Sequence, residues 1–203
     1  MDISIFRYYK PGVLISLIAL LSISIYFAKS NLGISIPIIG TITSLIVLID
    51  RFFWKKKLFS WMFWTDNFSG TYKGKLNYEY VDKDCVLQNG TLDHFKIIHQ
   101  RGSKIKIYSF SMKADGSRSS ISEDIGLDIK RTEGGNQYEL IYSYRNDGST
   151  DLSPHYGTEI VKFIKDGNKK ILSGRYFTER LPYQTKGTFE NLVWESDKEN
   201  HSF

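Results

Sequence analysis

The residues best equipped to hold a small molecule in this chain are tyrosines, with threonine and arginine beside them. Residues two apart on an extended chain share a face. Tyr138, Leu140, Tyr142 and Tyr144 therefore face one way, and so do Gly174, Tyr176, Thr178 and Arg180. Phenol rings stack on nucleobases or simply pack in a core, and an arginine or threonine at a rim can hold a phosphate. Core packing and ligand contact both fit the pattern. Arg180 fits either face, because Leu181-Pro182 ends its strand.

Residues for bond-breaking chemistry are poorly arranged by comparison. His94 and His99 are five apart, which places them on opposite faces of a strand. His155 stands alone before a strand, and His201 lies in the tail. Metal-ligand spacing, a nucleophile elbow and a phosphate-binding glycine loop are all lacking. Glu123 and Asp124 are adjacent, so on a strand they diverge and read as solvated charges. The expectation is a protein without catalytic residues, metal or cofactor. One cysteine, Cys85, excludes an intrachain disulfide and fits a reducing compartment.

After Asp66 the apolar period is two, with Tyr, Phe, Ile and Thr frequent and Gly, Asn and Asp at the breaks. Eight strands are predicted, over 69–81, 90–100, 103–113, 121–131, 137–145, 156–165, 170–179 and 185–194. Arg101-Gly102, Ala114-Asp115-Gly116, Gly134-Gly135-Asn136 and Asp166-Gly167-Asn168 supply hairpin residues between them. Neighbouring strands are then antiparallel, and an eight-stranded up-and-down barrel closes with an interior wide enough for one small ligand. A β-sandwich is the rival architecture. On the first strand Gly70, Tyr72, Gly74, Leu76 and Tyr78 share the expected inner face. Gly70-Thr71-Tyr72 resembles the Gly-x-Trp opening of lipocalin-like folds, in which the ring plugs the barrel floor, and the same reading applies to Tyr72.

The first third of the chain is chemically different. Pro11–Ala28 and Ser30–Ile49 form two apolar runs, and about 18 residues at about 1.5 Å each reach roughly across a bilayer core. Gly33, Pro37 and Gly40 in the second run suit a transmembrane helix better than a soluble one, and Pro37 is a candidate kink. No small-x-small cleavage site precedes the second run, which argues against a signal peptide. The prediction is a transmembrane hairpin with basic flank over 1–57, its helices at about 11–28 and 30–49 with a turn near Asn31. An aromatic interfacial linker over 58–65 and a soluble barrel over 66–203 follow.

Charge supports that division. The net +5 comes from residues 1–57, with seven basic and two acidic residues, while the remainder holds twenty of each sign. A neutral domain lacks the positive field that binds polymeric DNA or RNA. Arg7 and Lys10 precede the hairpin and Arg51, Lys55, Lys56 and Lys57 follow it, against Lys29 alone in the turn. The positive-inside rule then puts both termini and the barrel in the cytoplasm.

Two apolar helices, a basic aromatic junction, Phe68-Ser69-Gly70-Thr71-Tyr72-Lys73-Gly74, Gly174-Arg175-Tyr176-Phe177-Thr178-Glu179-Arg180 and Lys186-Gly187-Thr188-Phe189 occur in this order. The arrangement resembles the two-transmembrane β-barrel effectors of bacterial cyclic-oligonucleotide-based anti-phage signalling systems, over essentially the whole chain. That resemblance implies a multi-pass inner-membrane protein whose barrel binds a cyclic dinucleotide made by a cognate nucleotidyltransferase. Ligand binding would then drive self-association, disruption of the bilayer and abortive infection. It places ligand contacts at Tyr72, Tyr176, Thr178 and Arg180, and Tyr stands at 72 where the family more usually has Trp. Tyr142 and Tyr144 join this set from the pattern of the fifth strand. His155-Tyr156-Gly157 also resembles a family segment. The alternatives are a membrane-tethered lipocalin-like carrier, which requires an apolar lining, and a structural adaptor, which requires a filled barrel.

Overall fold

A computed structural model describes residues 6–33, 37–132, 137–148, 153–167, 169–180 and 183–199. The Gly134-Gly135-Asn136 break, Asn168, Leu181-Pro182 and His201 lie outside the described residues, as do residues 34–36 of the second apolar run. The chain divides into two units, 1–67 with 100–104, and 68–99 with 105–203.

In the first unit, α1 spans Pro11–Leu32 and α2 spans Ile38–Leu48. Proline at the start of α1 supplies a preset φ where an amide donor is dispensable. Gly33, at φ 66°, ends the helix by donating its N–H to the carbonyl of Lys29. The helix therefore runs through Lys29, Ser30 and Asn31, where the sequence suggested a turn, and Asn31 Nδ2 donates to the Phe27 carbonyl. Pro37 precedes α2 and does not sit inside it. The helix Pro11–Asn31 is long and apolar enough to cross a membrane, by length and composition.

A five-residue π-helical segment, Ile49–Phe53, continues α2, and one short helix, α3, spans Lys57–Ser60. Beyond it the chain returns on the N-terminus: Lys10 N–H donates to the Met62 carbonyl and Trp64 N–H to that of Tyr8. The Tyr9 and Phe63 rings meet between them at a tilt of 45°, with centroids 4.3 Å apart. Trp54, Met62 and Phe63 are buried, whereas Phe52, Leu58 and Trp61 are exposed.

The second unit is a closed antiparallel barrel in the order β1 to β8. The strands are β1 (Gly70–Val81), β2 (Leu87–Gln100), β3 (Ile105–Met112), β4 (Arg118–Arg131), β5 (Gln137–Asn146), β6 (His155–Asp166), β7 (Lys169–Thr178) and β8 (Thr185–Ser196). Every predicted strand is present within three residues of its expected ends. Gly116 and Gly167, both at positive φ, make the tight turns after β3 and β6. β1 closes on β8 through register shifts at Thr71/Tyr72 and Lys73/Lys75, the local irregularities that let a sheet curl shut.

Alternation carries one residue in two into the barrel. In β5, Tyr138, Leu140, Tyr142 and Tyr144 are all buried. At the end holding Phe68 the interior is solid. Phe68 meets Phe163 and Tyr138 edge to face, at 4.7 and 5.1 Å between centroids. Tyr72, Leu140, Leu172 and Leu192 are fully buried or nearly so.

Asp124 departs from its sequence reading. A register shift between Asp124 and Gly126 turns it inward, where it is buried and Oδ1 accepts the Ile107 N–H at 2.6 Å. Glu123 keeps the surface position, facing Lys106.

Candidate functional site

The end of the barrel away from Phe68 is open, and its cavity measures about 440 Å³, within the range of small-molecule sites. Tyrosines form part of its wall. Tyr78 of β1, Tyr144 of β5 and Tyr176 of β7 line it, and each lies directly opposite a glycine on the neighbouring strand. The pairs are Tyr78 with Gly90, Tyr144 with Gly157 and Tyr176 with Gly187. A Cβ at any of these glycines would fall inside van der Waals contact of the tyrosine ring. The missing side chains thus let the rings lie back against the wall, and the lumen stays open.

Hydroxyls make up another part of the wall. Ser111 of β3 and Ser119, Ser120 and Ser122 of β4 line the cavity, joined by Asn146, Thr178 and Thr185. Thr178 Oγ1 accepts the Thr185 N–H at 3.0 Å, which ties the end of β7 to the start of β8. Lys113, His155 and Arg180 bring cationic or titratable groups to the same space. Arg180 has no hydrogen-bond or carboxylate partner among the described residues. Aliphatic side chains are few, Leu76 and Leu92.

A charged layer separates this cavity from the packed end. Lys96 of β2 and Glu159 of β6 form a buried ion pair at 2.6 Å. Lys96 Nζ also donates to Ser109 Oγ at 2.7 Å and sits 4.6 Å from the centre of the Phe189 ring. Tyr142 OH donates to the same carboxylate oxygen, Oε2, at 2.6 Å. Burial pushes the Lys96 ammonium below its ordinary value while the Glu159 charge pulls it back up. Burial, then the Glu159 charge, raises the Tyr142 phenol well above its ordinary range, so it remains a donor. Burial, then the Lys96 charge, holds His94 well below the usual imidazole value and keeps it neutral. Its Nδ1 meets Ser111 Oγ at 2.9 Å.

The structure thus brings Tyr144, Tyr176, Thr178 and Arg180 to one cavity. Tyr142 lies one layer deeper, holding Glu159. Tyr72 lies in the packed end, its hydroxyl donating to the Phe68 carbonyl at 2.7 Å. Sequence reasoning missed Lys96, His94 and Glu159. The signal for Glu159 was its phase, shared with the inward Val161 and Phe163. Among the described residues there is no cluster of side chains that could hold a metal.

No match is found among curated proteins, and none among solved structures. A family model described as Cap15, cyclic dinucleotide receptor domain, matches residues 63–192, a description of a ligand-binding module and not of an enzyme. Because that match takes in well over half of the chain, from β1 into β8, the chain belongs to the Cap15 cyclic dinucleotide receptor domain family.

Proposed function

We propose that the barrel is the sensor of an anti-phage effector, binding a cyclic dinucleotide in the open cavity and passing that event to N-terminal helices seated in the bacterial inner membrane. The observation that carries this reading is the composition of the cavity wall. Tyr78, Tyr144 and Tyr176 offer faces for bases, while Arg180, Lys113 and Thr178 offer phosphate-binding groups at the same opening. A lipid carrier calls for a mainly aliphatic lining and a structural adaptor for a barrel filled at both ends, and the open cavity, walled by tyrosines, hydroxyls and cationic groups, favours neither. The hairpin over 1–57, the interfacial linker over 58–65 and the cytoplasmic placement of both termini belong to the same proposal. Ligand made by a partner nucleotidyltransferase favours the self-associated state through its differential affinity, and crowded helices then breach the bilayer.

Calorimetric titration of the full-length protein in nanodiscs with a panel of cyclic dinucleotides tests the sensor. One of them is expected to bind, with the affinity lowered about tenfold or more by Arg180→Ala, which removes a charge-assisted contact. Binding by none of them, in folded protein, contradicts the proposal. Reconstituted in dye-loaded liposomes, the protein should release dye only when that ligand is added. Retention of dye would remove the membrane step.

A further inference from the structure

The layer beneath the cavity is more than structural. Both donors that reach Glu159 converge on Oε2, and Oε1 has no partner among the described residues. Yet the side chain is only 5% exposed and borders the cavity. His94 borders it too, and its Nε2 is buried without a partner. Glu159 Oε1 thus keeps an unused acceptor position beside the cavity, and His94 Nε2 is an unmet polar atom enclosed at the floor. An enclosed, unmet polar atom is costly, so a ligand that displaces the floor enough to satisfy Nε2 while donating to Oε1 gains selectively.

We propose that Glu159 and His94 read the edge of one nucleobase and select bases that carry an exocyclic amine, as 6-aminopurines and 4-aminopyrimidines do. The inference rests on the cyclic dinucleotide reading of the cavity. An ionised carboxylate only accepts hydrogen bonds, so whatever meets Oε1 must donate. An exocyclic amine projects beyond the ring and donates without crowding. In those bases the adjacent ring nitrogen is an acceptor. It suits His94 Nε2–H in the tautomer in which Ser111 donates to Nδ1. Hypoxanthine and uracil place a carbonyl oxygen where the amine was. Their ring N–H is flanked by carbonyl oxygen, on one side in hypoxanthine and on both in uracil, and the carboxylate repels it. The phosphates remain near the opening with Arg180, and the ligand enters with one base leading.

Matched ligands provide the test without altering the protein. Full-length protein in nanodiscs is titrated with cyclic di-adenosine and di-inosine monophosphates, and with the cyclic di-cytidine and di-uridine pair. Whichever amino-bearing ligand binds, its deaminated counterpart should bind at least about 30-fold more weakly, the cost of setting a carbonyl against a buried acceptor. Equal affinities, or tighter binding of the keto ligand, would overturn the floor as a base reader and leave the sensor reading intact. Binding by no cyclic dinucleotide would overturn both. The double variant Lys96→Met with Glu159→Gln removes the acceptor charge together with its counter-ion. Melting establishes that it folds, and discrimination between the paired ligands should then fall to within about threefold. Undiminished discrimination in that folded variant would also overturn the proposal.

Discussion

The two ends of the barrel interior are built by the same alternation of inward residues on the same eight strands. Near Phe68 those residues are large and apolar, and the rings of Phe68, Tyr138 and Phe163 interlock. At the other end Tyr78, Tyr144 and Tyr176 are as large, but each of these three faces a glycine across its strand pair, so its ring lies on the wall and leaves the lumen open. The difference is made as much by Gly90, Gly157 and Gly187 as by the tyrosines themselves. Stability and ligand capacity are thereby assigned to different ends of one sheet, with the Lys96–Glu159 pair as the boundary.

Substitutions should separate the two ends. The largest effects are expected at the boundary and in the packed end. Lys96→Ala leaves a buried carboxylate without its cation, and Phe163→Ala empties a core site. Each should cost about 3–5 kcal/mol in chemical unfolding of the full-length protein. Phe163→Ala should nevertheless keep ligand affinity within about threefold, since the two sites do not touch. A parallel loss of binding would mean that the ends are not independent.

Gly90→Ala reverses the pattern. The nearest atoms to an added Cβ there are the hydroxyl and ring carbons of Tyr78, so the ring is displaced. Affinity should fall roughly tenfold with little change in melting temperature, and combining it with Tyr78→Ser should restore binding.

A smaller effect distinguishes His94. The folded protein keeps it neutral, while the unfolded chain takes up a proton below about pH 6.5. The unfolded state therefore binds more protons in that range, and stability falls as pH drops through it, by up to about 1.4 kcal/mol per pH unit. His94→Gln should flatten this slope between about pH 6.5 and 5. An unchanged slope would place the acid sensitivity elsewhere. Least of all, Tyr72→Phe removes one buried hydrogen bond, to the Phe68 carbonyl, and should cost about 1 kcal/mol without weakening ligand binding. A marked loss of affinity would give Tyr72 a role beyond plugging the barrel.

Much of the fold was legible because strand alternation and hairpin chemistry are local signals. The faces of β1, β5 and β7 followed from counting by two, and Tyr144, Tyr176 and Thr178 meet at one cavity for that reason, whereas Arg180, beyond the end of β7, has no face that counting assigns. The floor was harder to read, because a lysine or glutamate on a strand ordinarily points to water. Only closure of the barrel brings Lys96 and Glu159, 63 residues apart, to 2.6 Å. Asp124 misled for a related reason. Its inward turn depends on a register shift against β5, which periodicity alone does not reveal. The helical boundary at Gly33 followed from its left-handed cap, while the sequence pointed to Lys29 through charge.

The most direct measurement is photoaffinity labelling of the full-length protein in nanodiscs with an azido-substituted cyclic dinucleotide, the labelled positions being read by mass spectrometry. The account predicts competable labelling of peptides holding Tyr78, Tyr144 or Tyr176, around the open cavity. Competable labelling confined to the packed end around Phe68 and Tyr72, or to outward residues such as Arg175 and Phe177, would contradict it, and so would no competable labelling at all.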